Sequence, residues 1–266
     1  MRSVRTALQV FEGVARHQPV GLSQLARELA LPKATVQRSL AALADAGWLV
    51  QDLLDPGRWT VATRVALLAE AAPPAQALRA AVHPHLVDLR DTTGETVGLF
   101  TIDGDHMVML EVLDGTHVVR AVERDTSALP VHVSAAGRAM LSALEPRERR
   151  LAIERLAGGG LTAYTERSSV DAGALLAKVD AAAATGFAVI DGEYIDDLCG
   201  LGAAVVAPDG RPLAGIALLA PAFRARDRLE SLGGQVANAA QTASSAIAGA
   251  AGAAPAAPAA AGAPGA

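Results

Sequence analysis

Apolar positions over residues 4–17 recur at intervals of three and four. Val4, Ala7, Leu8, Phe11, Val14 and Ala15 share a face, which predicts an amphipathic helix. His17-Gln-Pro-Val-Gly21 breaks the pattern. Ser23 is suited to cap a short helix running through Ala30. A further helix is expected from about Pro32 to Ala46, with proline tolerated in its first turn and Gly47 ending it. Trp48–Gln51 and Arg58–Val61 read as two short strands around the turn-forming Asp55-Pro-Gly57.

From 63 to 91 the pattern is helical again, interrupted at Pro73-Pro74. Beyond Gly94 it changes to β-rich runs at Thr96–Ile102, His106–Leu113 and His117–Val122. Aspartate-glycine turns separate these runs, as in an antiparallel meander. Helices are expected at about 135–157 and 169–185. Strands are expected at Phe187–Ile190, Gly202–Val206 and Leu213–Ala220, and a last helix at 226–248. Strands, then helices, then strands indicate an α+β domain. After Gly249 only Ala, Gly and Pro remain, a composition with no large side chain to bury, and 249–266 is expected to be disordered.

Charge modifies this picture in one respect. The whole chain of 266 residues carries a formal net charge of −5. Residues 1–60, by contrast, hold seven basic and five acidic side chains, so the acidic excess lies in the remainder. A mildly basic head on an acidic body fits a small nucleic-acid-binding module joined to another domain; chance scatter of charge is the competing reading. The single cysteine, Cys199, excludes an intramolecular disulfide and a cysteine-based zinc cage. Without a secretory signal or a long apolar run, the chain is expected to be cytoplasmic, with no membrane partner.

The segment 21–49 has the spacing of a helix-turn-helix. In that arrangement the first helix braces and the N-terminal half of the second presents side chains to base edges. The second helix offers Lys33, Thr35, Gln37, Arg38 and Ser39, and retains Val36, Leu40 and Leu43 for packing. Arginine reads guanine and glutamine reads adenine by paired hydrogen bonds; lysine, threonine and serine suit phosphates. Ser23 joins this candidate interface, and Arg58, on the wing, is placed to reach a phosphate or the minor groove. Taken one at a time, each of the five helix residues is as readily the solvated face of an amphipathic helix.

These residues resemble the IclR family of transcriptional regulators. Ser3-Val-Arg-Thr-Ala-Leu8 is similar to the family's opening helix and Leu22-Ser-Gln-Leu-Ala-Arg-Glu-Leu29 to its bracing helix. The stretch from Leu31 to Leu43, with Arg38, resembles its recognition helix, and Gly47-Trp48-Leu49 stands where its wing begins. Further on, Gly94-Glu-Thr-Val97, Pro130–Leu141, Leu161–Thr165 and Gly186–Val189 resemble parts of its effector-binding domain, so the likeness spans nearly all the chain except the tail. It implies a winged helix-turn-helix at 1–62, a helical linker at 63–92 and a GAF-like α/β effector-binding domain at 93–248. It also implies a homo-oligomer, a dimer or dimer of dimers, on a double-stranded DNA operator, with repression modulated by a small organic effector, a carboxylate or an aromatic compound.

By the same resemblance the effector pocket draws on Ser134, Ala135, Gly137, Asp191, Glu193, Ala203, Ala217 and Leu219. Backbone N–H groups of the helix after Ser134 suit a carboxylate. Ser134 as a plain helix cap and Gly137 as a packing residue stay open. The family often has small hydroxyl residues where this chain has Ala217 and Leu219, which implies a more apolar pocket. The region Ala204–Gly210 is also shorter than the family's usual run. Cys199 reads as a quiet structural cysteine, since Asp196 and Asp197 disfavour a thiolate. The acidic residues Asp191, Glu193, Asp196 and Asp197 lack a neighbouring histidine, and no metal or cofactor is expected. The alternative from another class is an enzyme built on the GAF-like domain. No nucleophile elbow, phosphate-binding glycine loop or paired metal motif supports it.

Overall fold

The computed structural model describes residues 2–70, 73–122 and 129–253, and divides into two compact units, Met1–Gln76 and Ala77–Ala266. In the first, α1 (Arg2–His17), α2 (Leu22–Glu28) and α3 (Lys33–Asp45) surround one apolar cluster. Val10, Val14, Leu25, Val36, Leu40 and Leu49 supply its buried centre. The expected face of α1 is rotated. Val10 and Val14 are buried, with Ala7 and Phe11 beside them, whereas Val4, Leu8 and Ala15 point to solvent. Ser23 lies in the first turn of α2 with its cap position at Gly21, so it does not cap. Between α2 and α3 the chain reverses through Ala30, at φ 51. Leu31 N–H then donates back to the Ala26 carbonyl, which fixes the angle at which α3 departs.

Pro32 is the N-cap of α3, which leaves its missing N–H without cost. Gly47, at φ 74, turns the chain into β2 (Leu49–Gln51). β2 pairs with β3 (Arg58–Val61), and β3 also pairs with β1 (Val20–Gly21), a strand too short for its pattern to announce. Helix α4 (Arg64–Glu70) follows.

The second unit is built on a six-stranded antiparallel sheet in the order β6-β5-β4-β9-β8-β7. Its strands are β4 (Thr96–Asp103), β5 (His106–Leu113), β6 (Leu129–Pro130), β7 (Ala188–Asp191), β8 (Leu198–Val206) and β9 (Pro212–Pro221). Alternation sorts their side chains between two faces. Leu201, Ala203, Val205, Ile216 and Leu218 face a cluster made with α5 (Pro73–Thr93) and α10 (Leu229–Ala253). Phe100 and Ala217 face the opposite cluster, with α6 (Ala135–Ser142), α7 (Pro146–Gly158) and α8 (Ala172–Thr185). A short helix, α9 (Ala222–Ala225), leads from the sheet toward α10.

Three expectations need correction. The 135–157 helix is two helices, because Pro146 starts α7 after a break at Glu145. His117–Val122 is not a strand. Its backbone is bound by side chains instead, Thr96 Oγ1 donating to the Ala121 carbonyl and Arg224 Nη2 to the Val119 carbonyl. Helix α10 continues to Ala253, five residues into the stretch expected to be disordered, in keeping with the high helix propensity of alanine. The rest of that tail lies outside the described residues. Among the described residues no helix is long and apolar enough to cross a membrane.

Candidate nucleic-acid interface and effector pocket

Helix α3 buries Val36 and Leu40 against the core of the first unit and turns Lys33, Gln37 and Arg38 to solvent. Lys33, Gln37 and Ala41 form one row at intervals of four, with Ala34 and Arg38 beside it. The small exposed side chains Ala34 and Ala41 were not singled out from the sequence. Thr35 and Ser39 are half-buried at the margin of this row, and Ser23 is exposed on α2.

Arg58, expected on the wing as a DNA contact, stands at the start of β3, half exposed, and makes two bonds within its own unit. Its Nη1 donates to the Pro19 carbonyl at 2.7 Å, and its Nε lies 3.3 Å from the Asp55 carboxylate. The side chain thus ties β3 to the start of β1 and closes the wing turn. Asp52 Oδ1 accepts from the N–H groups of Leu54 and Asp55, which fixes the tip of the wing.

The second unit contains a narrow cavity between the sheet and the start of α6. Phe100, Gly200, Ala217 and Leu219 form the sheet side. Val133, Ser134 and Ala135 form the helix side, with Leu129 beside them. Ile190, Tyr194, Ile195 and Leu198 complete the wall. Two glycines explain how α6 comes so close to the sheet. A Cβ on Gly202 would stand 2.3 Å from the Ala135 carbonyl oxygen, and one on Gly215 would stand 2.8 Å from that of Ala136. Ser134 caps α6, its Oγ accepting from Gly137 N–H at 3.2 Å, and it also lines the pocket.

Four of the eight expected pocket residues, Ser134, Ala135, Ala217 and Leu219, therefore meet at this cavity. The other four are placed elsewhere. Ala203 follows Gly202 on β8 and points to the opposite face, into the α10 cluster. Gly137 packs where a Cβ would stand 2.6 Å from the Val131 carbonyl oxygen. Asp191 pairs with Arg167 and Arg226 outside the pocket. Burial raises its pKa, but the Arg226 bond, the Cys199 bond and the charges of Arg226 and Arg167 together hold it below the ordinary carboxylate value.

Glu193 is turned away from the pocket into a buried cluster. Arg138 grips it with both terminal nitrogens, at 2.8 and 2.5 Å, Lys178 Nζ donates to it at 2.8 Å, and Ser169 Oγ at 3.3 Å. Burial raises its pKa, but the Arg138 bond and charge, then those of Lys178, outweigh burial and keep it ionised. Its neighbour Tyr194 lines the pocket and packs against Tyr164 with ring centroids 4.9 Å apart. The Arg138–Glu193 pair thus positions one wall of the cavity.

Cys199 is buried and donates to Asp191 at 3.4 Å. Burial, followed by the Asp191 bond and charge, pushes its thiol up to about 12, which leaves it protonated. Among the described residues no group of three or more His, Cys, Asp or Glu side chains is arranged to hold a metal ion.

Residues 3–53 match the family model for the IclR helix-turn-helix domain, and residues 73–245 match that for the bacterial transcriptional regulator IclR C-terminal domain. The chain is 28% identical to the transcriptional repressor IclR of Escherichia coli K12 over 245 residues, 91% of this chain and 88% of that protein. It is 28% identical over 221 residues to the repressor AllR of Klebsiella pneumoniae, covering 83% of this chain and 80% of that one. Among solved structures, an IclR homologue from Microbacterium hydrocarbonoxydans, complexed with 4-hydroxybenzoate, superimposes with a TM-score of 0.77. It is 21% identical, over 92% of this chain and 98% of that one. The IclR protein of Thermotoga maritima gives a TM-score of 0.69 at 19% identity, over 93% and 99%. With a helix-turn-helix unit followed by an antiparallel-sheet unit matched along most of its length, this chain belongs to the IclR family of bacterial transcriptional regulators.

Proposed function

We propose that this chain is a sequence-specific DNA-binding repressor whose hold on its operator is modulated by a small organic metabolite bound in the second unit. The observation that carries the reading is the solvent-facing row of Lys33, Gln37 and Arg38 in the N-terminal half of α3, on a helix otherwise fixed by Val36 and Leu40. Two of these side chains carry base-reading groups and the third suits a phosphate. Ser23, Thr35 and Ser39 border this surface. The repressor names of two relatives support the direction of the effect.

The effector is a carboxylate or an aromatic compound, held at Ser134, Ala135, Ala217 and Leu219. The N–H groups in the first turn of α6 lack intrahelical acceptors and face an anion favourably. The Microbacterium hydrocarbonoxydans homologue was crystallised with a ligand of this kind. Functionally the modules are 1–62 for DNA, 63–92 as a connector and 93–248 for the effector, in a homodimer or dimer of dimers that matches a palindromic operator. The test is binding of the purified chain to its own upstream intergenic DNA, with scrambled DNA as competitor, over a salt series. Tight binding that survives the competitor and weakens steeply with salt is expected. Equal affinity for scrambled DNA overturns the proposal.

A further inference from the structure

We infer that the pocket selects a ligand with an apolar body and a single carboxylate, and discriminates against small hydrophilic acids and against diacids. This rests on reading the cavity as the effector site. Among the described residues that line it, all but Ser134 and Tyr194 carry hydrocarbon side chains or none, and Lys, Arg, His, Asn and Gln are absent. The cation placed to change this is Arg138, on the same helix as Ala135, and it is committed. Its Nε donates to the His132 carbonyl, and both terminal nitrogens donate to Glu193.

On the α6 side, polar capacity is concentrated at Ser134. Ser134 Oγ accepts from Gly137 N–H, which leaves its own proton to donate toward the cavity beside the first-turn amides of α6. That suffices for one carboxylate. Toward the sheet, Phe100, Ala217 and Leu219 offer no side-chain donor, so a second carboxylate would leave water without replacement bonds. A two- or three-carbon oxo acid would lose its hydration while burying almost no apolar surface in return. Ala217 is the position that sets this preference. It pairs with Gly98 on β4 and Gly202 on β8, so no neighbouring side chain on those strands supplies the missing hydroxyl.

The test is calorimetric titration of the full chain with benzoate, cyclohexanecarboxylate, terephthalate and pyruvate. The two monocarboxylates with apolar bodies are expected to bind at least about 100-fold more tightly than terephthalate and pyruvate, the cost of leaving a buried charge unpaired. Pyruvate or terephthalate binding as tightly as benzoate overturns the inference, as does failure of both apolar monocarboxylates to bind at millimolar concentration. In Ala217→Ser the affinity ratio is expected to move toward pyruvate by at least about fivefold, roughly one added hydrogen bond. An unchanged ratio overturns the assignment of selectivity to this cavity. Operator binding is scored on the same preparation. Ligand selectivity without any effect on operator affinity overturns the effector reading of the Proposed function and leaves the selectivity standing, whereas loss of selectivity with intact operator binding does the reverse.

Discussion

Arg138 and Glu193 meet through both prongs of each side chain, 55 positions apart in sequence and almost wholly out of solvent. Lone buried charges are costly, and removal of one partner leaves the other unpaired. Glu193→Ala is therefore expected to lower stability by about 3–5 kcal/mol. The double variant Arg138→Met/Glu193→Leu, which removes both charges, is expected to be markedly less destabilised than the single one. Chemical denaturation of both variants checks this, and equal losses would show that the pair acts only through packing.

Acid is expected to act on the same region in two stages. His132 is held below its ordinary value of 6.5, by burial first, with its bond to the Thr162 carbonyl opposing. The folded state thus favours the neutral ring, and stability declines as pH falls below 6.5. Glu193 is likewise lower in the folded state than its ordinary 4.5, so its contribution is complete above 4.5 and is lost as pH falls through its depressed folded value. Thermal melts over a pH series are expected to show both declines. His132→Gln should flatten the first and Glu193→Gln the second. A melting temperature independent of pH from 7 down to 4.5 would contradict the His132 assignment, and one that falls no further below 4.5 would contradict that of Glu193.

The same pair marks where sequence reading reaches its limit. The family resemblance assigned Ala217 and Leu219 to the pocket, and strand alternation keeps the two on one face of the sheet. The same rule sends Ala203 to the other face and brings in Phe100 and Gly200, signals present in the pattern but not used. Asp191 and Glu193 read as pocket acids because a polar loop carries no record of its distant partners. The clue was Arg138, a lone charge within the apolar run Ala135–Leu141, which calls for a buried counterion from elsewhere in the chain. Nothing in the neighbourhood of Arg58 points to its bond with Pro19, 39 positions earlier. Helices α2 and α3, by contrast, were legible because their determinants are local: apolar spacing, Pro32 at the start of α3 and Gly47 after it.

The glycines beneath α6 give a third prediction. Gly202→Ala inserts a methyl group 2.3 Å from the Ala135 carbonyl oxygen and 2.7 Å from the Ala136 nitrogen, both backbone atoms that cannot rotate away. Helix α6 must shift off the sheet, at a cost of about 1–3 kcal/mol. The shift also moves Ser134 and Ala135, so effector affinity is expected to fall together with the melting temperature. Gly210→Ala provides the comparison. That glycine has open space around it but a φ of 84, so it should cost stability without altering ligand affinity.

The first unit offers a division of labour that salt can resolve. Lys33, Gln37 and Arg38 are exposed on α3, whereas Arg58 is held by Pro19 and Asp55. Lys33→Ala is expected to weaken binding to all sequences alike and reduce the salt slope by about one. Arg38→Ala and Gln37→Ala are expected to lose about 1–3 kcal/mol of discrimination each while the second unit stays folded. Arg58→Ala should instead cost about 1 kcal/mol of stability in the first unit through the lost Pro19 bond, with the salt slope unchanged. Affinity measured against salt for operator and scrambled DNA separates these outcomes. Wild-type sequence preference in the Arg38/Gln37 double variant would remove α3 as the reading helix. A reduced salt slope in Arg58→Ala would mean that this guanidinium leaves Pro19 for a phosphate when DNA binds.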